Sequence, residues 1–380
     1  MSIKPFEAFG IKRRTSIIDS VMKKMLFTVL TISLFSCGKK DIPKSDQTEL
    51  YFPTSQNWET ISPSSLKWDT QKIEELYDVL EAGKSRAFLV LKDGKIVLEK
   101  YWGKDILNFR DFDQDAQWYW ASAGKTLTAS LVGIAEQEGY LSQKDKTSQY
   151  LGINWTSLPL EKEEKITIGN QLTMTSGLDD LVPNSGSIAP QDLKYKADAG
   201  TRWAYHNAPY TLLDQVVSKA TNTDFDIYFE NKIKSKTGMD GQWRWINNDH
   251  VYFSTARSMA RFGLLILNKG QWENEIVVNE SFISEMTASS QDLNQSYGYL
   301  WWLNGKPSYK LPTIQTNFNG SIIPNGPSDM VMGLGKNGQF ICVIPSQNIV
   351  LIRMGEDPDP SPVTTLFLDQ IWKKMNEITP

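Results

Sequence analysis

The ten residues ASAGKTLTAS, positions 121–130, decide the fold, because they admit two chemistries. Gly124-Lys125-Thr126 is the tail of a phosphate-binding loop. Ser122-Ala123-Gly124-Lys125 is a serine with a lysine one helical turn later. A phosphate loop needs a glycine five residues before Gly124, so that the backbone can curl around phosphate. That position is Tyr119, followed by bulky Trp120. The preceding DFDQDAQWY is acidic and does not read as a buried strand. The nucleotide reading fails on both counts.

The serine–lysine reading has to survive its own weakness. The Ser-x-x-Lys spacing occurs four times, at Ser20/Lys23, Ser36/Lys39, Ser64/Lys67 and Ser122/Lys125. The first two lie in a leader and the third in the polar entry segment SPSSLKW. Ser122 alone opens a long pattern that reads as an amphipathic helix ending at Gly139, and its neighbours Ala121, Ala123 and Gly124 are small. Residues three apart share a helix face, so Lys125 can reach the Ser122 oxygen. The positive end of the helix favours an alkoxide on Ser122 and disfavours an ammonium on Lys125. Burial lowers the lysine pKa further and makes a neutral amine available as a base.

Composition narrows the alternatives. Of 380 residues, Lys and Arg number 40 against 44 Asp and Glu, a formal net charge of −4, so nothing favours nucleic acid as a partner. The only histidines are His206 and His250, which removes most Ser-His-Asp and His-rich metal sites at once. No metal and no cofactor is expected. Cys37 and Cys342 are the only cysteines, and no internal disulfide is expected.

Residues 1–36 read as a leader. Lys23 and Lys24 precede the apolar run Met25 to Phe35, too short to span a bilayer as a mature helix and typical of an export signal. Met22 offers a better start than Met1. Leu34-Phe35-Ser36-Cys37 resembles the bacterial lipoprotein box, which implies lipidation at Cys37 and a membrane-anchored protein of the cell envelope. Residues 37–58 are expected to form a flexible tether.

Beyond the tether, RAFLVLKDGKIVLEKYW (86–102) is two β-rich runs joined by Asp93-Gly94, a strong hairpin signal. QFICVI (339–344) and NIVLIRM (348–354) form a second strand pair, and 362–378 has helical spacing. The middle is helical over 208–221, 225–233 and 255–270. The expected fold class is therefore α/β (α+β). An antiparallel sheet built from both chain ends, 59–112 and 290–380, carries flanking helices and an inserted, mainly helical region, 113–289.

Two further groups complete the pattern. Tyr205-His206-Asn207 is the only Tyr-x-Asn among 14 tyrosines, and Lys336-Asn337-Gly338 stands directly before a strand. With Ser122-x-x-Lys125 in front, the chain resembles the serine β-lactamase and penicillin-binding superfamily, on its class C, esterase and 6-aminohexanoate-dimer hydrolase side. ITIGNQLTMTSGL (166–178), STARSMARFGLLILNKG (254–270) and YGYLWWL (297–303) are similar to segments of that family. The resemblance implies a β-lactamase/transpeptidase-like fold and a serine hydrolase acting on an ester, an amide or a peptide-like substrate through an acyl-enzyme on Ser122. By the same resemblance, Lys125 and Tyr205 would share the proton work as a coupled pair. Asn207 would orient Lys125 and the substrate amide, and Lys336 would favour the Tyr205 phenolate. The backbone N–H groups of Ser122 and Gln339 would form the oxyanion hole. Asn337 replaces the family's usual Thr or Ser, which weakens the case for binding a substrate carboxylate. Read without the resemblance, Tyr205 is a buried tyrosine, Asn207 a helix cap and Lys336 a solvated turn lysine. His206 reads as structural, His250 as a surface loop residue, and Trp301-Trp302 as core or acyl-pocket wall. Lys236-Thr237-Gly238 is a literal match to the third box, but it follows a helix and no apolar strand follows it. A non-hydrolytic penicillin-recognising lipoprotein and a D,D-peptidase remain as rivals.

Overall fold

The computed structural model describes residues 50–54, 57–359, 361 and 363–380. The leader, Cys37 and most of the expected tether lie outside the described residues.

Strands β1 (Ser85–Lys92) and β2 (Lys95–Tyr101) form the expected hairpin. Asp93 and Gly94 both have positive φ, 51° and 83°, the turn geometry whose twist matches the strands. Three strands form a second sheet: β3 (Trp118–Tyr119) pairs with β5 (Asp249–Ser254), which pairs in turn with β4 (Gln242–Ile246). The late strands are β6 (Trp302–Leu303), β7 (Val331–Gly335), β8 (Gln339–Ile344) and β9 (Ile349–Gly355). The main sheet has the order β2-β1-β9-β8-β7-β6 and is antiparallel throughout. Its seam is β1 against β9, with Leu89 opposite Ile352, so the two chain ends meet in the middle of the sheet.

Both faces are covered, which is why these strands read as unbroken apolar runs rather than alternating ones. Helices α1 (Thr70–Ala82) and α5 (Thr365–Ile378) pack side by side, and Trp372 of α5 reaches Cys342 of β8. Cys342 is a buried free thiol within the strand. Asp69 caps α1 by accepting from the N–H groups of Gln71 and Lys72, at 3.0 and 3.3 Å. Ile73, Leu76 and Leu80 form its buried stripe. On the opposite face lies α4 (Ala256–Leu267), so close that a Cβ at Gly263 would come within 2.5 Å of Val350 Cγ1. Helices α2 (Lys125–Gln137) and α3 (Asn207–Thr221) pack against each other. A small satellite core around Trp155, Ile166, Leu178 and Leu212 sits beside α3.

Two expectations change. The stretch expected to be tether up to residue 58 is in part folded: Tyr51 N–H donates to Asp93 O, and the buried Trp58 indole donates to Gly94 O at 2.7 Å. These aromatic residues close over the hairpin turn, and Gly94 has no side chain because a Cβ there would sit 2.0 Å from Tyr51 O. The helix after Ser122 is not amphipathic: Lys125 through Ala135 are all buried, as befits a helix packed on every side.

Candidate active site

Trp120 begins the site. It is fully buried, its N–H donates to Tyr252 O at 2.8 Å, and its indole donates to Ser254 Oγ at 2.7 Å. The turn that follows therefore hangs from β5. Ala121 is left-handed, with φ 46°, an unfavourable conformation for alanine, and 121–124 form a 3-10 turn that leads into α2. Ser122 is left partly exposed at this turn while Lys125 is buried.

Lys125 Nζ lies 2.9 Å from Ser122 Oγ. The ammonium form is disfavoured by burial, which lowers its pKa from 10.5 to about 8, against the opposing charges of Asp249 and Asp214. The amine lies over two rings, 4.3 Å from the Tyr210 centroid and 5.2 Å from that of Tyr205. Tyr205 is also in hydrogen-bonding contact with Ser122, and burial pushes its phenol pKa upward. Trp302 stacks on Tyr205 at 5.8 Å and 19°, and Tyr297 meets its ring edge-on at 6.1 Å. Trp302 is thus the wall behind Tyr205, while the fully buried Trp301 packs on Phe262 in the core.

Asn207 is the first residue of α3, not its cap. Its Nδ2 donates to Asp249 Oδ1 at 3.2 Å, and its buried Oδ1 has no partner among the described residues. His206 is buried, with Nε2 2.8 Å from Ser185 O, a structural contact. His250 is not a surface loop residue. It lies in β5, buried, with Nδ1 2.8 Å from Asp214 Oδ2, and is stacked on Trp245 at 4.5 Å. Burial raises the Asp214 pKa from 3.8 to about 6, against the pull of His250. None of these acidic partners was visible in the sequence, because β5 comes next to α3 only through the fold.

The third box is the turn between β7 and β8. Asn337 and Gly338 both have positive φ, 64° and 72°. Asn337 Nδ2 donates to the Tyr119 hydroxyl at 2.8 Å, so its amide is engaged within the protein. Lys336 is exposed at the tip and forms no ion pair among the described residues. Gln339 sits opposite Gly335 in the ladder, and its buried side chain exchanges two hydrogen bonds with Gly355, at 2.7 and 3.0 Å. The hairpin passes close to the Ser122 turn at Gly335: a Cβ there would lie 2.4 Å from Trp120 O and 3.1 Å from Ala123 N.

Arg353 of β9, unremarked in the sequence, holds this turn in place. Fully buried, it donates to Asn337 O and Gly338 O at 2.6 and 2.8 Å, to Gly83 O at 2.7 Å, to Glu356 O at 3.0 Å and to Ser85 Oγ at 3.0 Å. An arginine inside an apolar strand needs fixed partners, and that mismatch is the signal that could have found it. Lys236-Thr237-Gly238 closes a short helix elsewhere, with Lys236 paired to Glu275 at 2.5 Å.

The beta-lactamase family model matches residues 78–365, about three quarters of the chain. The chain belongs to the beta-lactamase family. An uncharacterized protein of Alkalihalophilus pseudofirmus is 26% identical over 321 residues, covering 76% of this chain and 88% of that relative. A candidate 6-aminohexanoate-dimer hydrolase from Bacillus anthracis has a similar structure, with TM-score 0.64, 18% identity and coverage of 86% and 89% of the two chains. The octameric penicillin-binding protein homologue from Pyrococcus abyssi gives TM-score 0.60 at 17% identity, over 81% and 78% of the two chains. Family membership makes this a β-lactamase-like serine hydrolase by class, and the structural likenesses support the β-lactamase/transpeptidase-like fold.

Proposed function

We propose that the chain hydrolyses carboxylic esters or linear amides through an acyl-enzyme on Ser122. The observation that carries this is the 2.9 Å approach of Lys125 Nζ to Ser122 Oγ in a buried, amine-favouring setting. In this reading neutral Lys125, coupled to Tyr205, takes the Ser122 proton as Oγ bonds to the substrate carbonyl carbon. The carbonyl oxygen becomes an oxyanion, held by the Ser122 N–H and a backbone N–H from the Gly335–Gln339 end of the hairpin. A donor lost there typically costs about 3–4 kcal/mol of barrier. The Lys125–Tyr205 pair then returns the proton to the departing alcohol or amine; water, deprotonated by the same pair, attacks the acyl carbon, the bond to Ser122 Oγ breaks, Ser122 takes the proton back and the acid leaves.

Engagement of Asn337 by Tyr119 speaks against a substrate-carboxylate receptor at the third box and so for esters or linear amides rather than penicillins. We also infer that Cys37 is lipidated and anchors the enzyme in the cell envelope, on the strength of the Leu34-Phe35-Ser36-Cys37 box. The test of the hydrolase reading is fluorophosphonate labelling with turnover of a nitrophenyl ester. Ser122→Ala should abolish labelling and lower turnover by orders of magnitude with the fold intact, while Ser64→Ala should leave both unchanged. Labelling with no turnover would leave a penicillin-recognising protein that stalls after acylation.

A further inference from the structure

His250 and Asp214 are buried and titratable, and the acyl transfer uses neither. They meet only through the fold, Asp214 on α3 and His250 on β5. His250 Nδ1 stands 2.8 Å from Asp214 Oδ2, and its Nε2 stands 3.4 Å from Asp226 Oδ1 on the short helix Phe225–Phe229. Its ring stacks on Trp245 at 4.5 Å and 7°, and meets Trp243 and Phe225 at 5.0 and 5.8 Å. This packing holds both ring nitrogens towards carboxylates.

Asp214 depends on that contact. Among the described residues, His250 is the hydrogen-bond partner of its Oδ2, and its buried Oδ1 has none. Burial favours the protonated acid, with a pKa raised to about 6, and His250 opposes this. The charge so kept lies close to the proposed base. Asp214 follows Tyr210 by one turn of α3, so the two share a helix face. Lys125 Nζ lies 4.3 Å from the centroid of the Tyr210 ring. A carboxylate one turn from that ring favours the ammonium form of Lys125 over the amine.

We propose that His250 is a positioning residue for the hydrolysis: it holds Asp214 as an anion behind Lys125, and thereby governs how readily Lys125 sheds the proton it must lose to act as a base. This rests on the hydrolase reading and adds to it the residue that tunes the base. His250 acts through Asp214. The other groups facing Lys125 are Ser122 from its own turn, Tyr205, Tyr210 and Asp249 of β5. Asp214 is faced besides by Tyr210 and Asp226.

The test is the pH profile of kcat/KM for the full chain on one nitrophenyl ester, beside melting curves. His250→Phe keeps a ring against Trp245 but has no donor, and His250→Leu replaces it if that variant does not fold. Either leaves Asp214 to take up a proton, and the Lys125 ammonium loses its support. The rising limb should then move to lower pH by about one unit. The plateau above it should fall about threefold, because the amine is a weaker base. His250→Asn offers an amide N–H where Nδ1 stood, and should bring the limb back towards the wild type. Asp214→Asn should move the limb as far as His250→Phe does, and combining the two should move it no further. A structural contact alone would lower Tm and leave the limb in place. An unmoved limb in a folded His250→Phe or His250→Leu, no recovery in His250→Asn, or a further shift in the double variant would overturn the proposal while leaving the hydrolase reading in place. A wild type that turns over no ester removes that reading, and this proposal with it.

Discussion

Lys125 is buried where an ammonium is poorly tolerated, and in the proposed mechanism this bears on both activity and stability. Its pKa falls from 10.5 to about 8, so about a tenth of the amine is neutral at pH 7, far more than for a solvated lysine. The kcat/KM profile should therefore rise through a limb near pH 8. Lys125→Met should remove that limb and lower kcat/KM by about 10²–10⁴-fold, the usual contribution of a positioned base. The same burial opposes folding at neutral pH. The folded lysine releases its proton above about pH 8 and the unfolded one above 10.5, so between these values the unfolded chain binds more protons and stability rises with pH. The penalty below pH 8 corresponds to about 3 kcal/mol. Lys125→Met should thus melt higher than the wild type at pH 7, with the gain shrinking towards pH 10.5. A gain independent of pH would assign the effect to packing instead. The Ser122–Lys125 relation was legible because three residues of helix enforce it locally. Asp249, Asp214 and Arg353 were not, because their partners lie far away in sequence.

The β7–β8 hairpin shows what an element contributes beyond its residues. Its second strand was legible as QFICVI, a run rich in β-branched and aromatic residues. Its first, VMGLG, was missed, since two glycines and no alternation give no strand signal. The structure explains the glycines by proximity. Gly335 passes the nucleophile turn, and a side chain there would strike the Trp120 and Ala123 backbone, which cannot rotate away. Gly263 makes an equally close approach, but to the Val350 side chain in the core. The two substitutions should separate cleanly. Gly335→Ala should displace the hairpin from Ser122 and lower kcat/KM by about 10²-fold, as misplacements near 1 Å do. Gly263→Ala should instead lower Tm, by overpacking worth about 1–3 kcal/mol, and leave kcat/KM of the folded protein near wild type. Melting curves beside ester kinetics decide between these outcomes. The helix after Ser122 taught the reverse lesson: its existence was plain, but its burial on every side depends on layers that local periodicity cannot show.

At the scale of the molecule, a sheet closed from both chain ends was legible because the two terminal hairpins carry their own turn and strand signals. Which segment wraps the outside was less so. Tyr51 and Trp58 belong to the fold because they close over the Gly94 turn. The compact unit runs from Thr48 to Pro380 and holds all of Ser122, Lys125, Tyr205 and the hairpin. Catalysis and the proposed anchoring should then be separable. In an exporting bacterial host, wild-type protein should sediment with membranes and show a diacylglycerol-modified Cys37 by mass spectrometry of its mature N-terminus. Cys37→Ala should move the protein to the soluble fraction. Its kcat/KM on a soluble nitrophenyl ester should stay within about twofold, the range expected of changes remote from a site. Membrane association that survives Cys37→Ala would overturn the lipid anchor and leave the hydrolase standing. A soluble variant that loses its ester activity would show instead that the segment before Thr48 takes part in the catalytic unit.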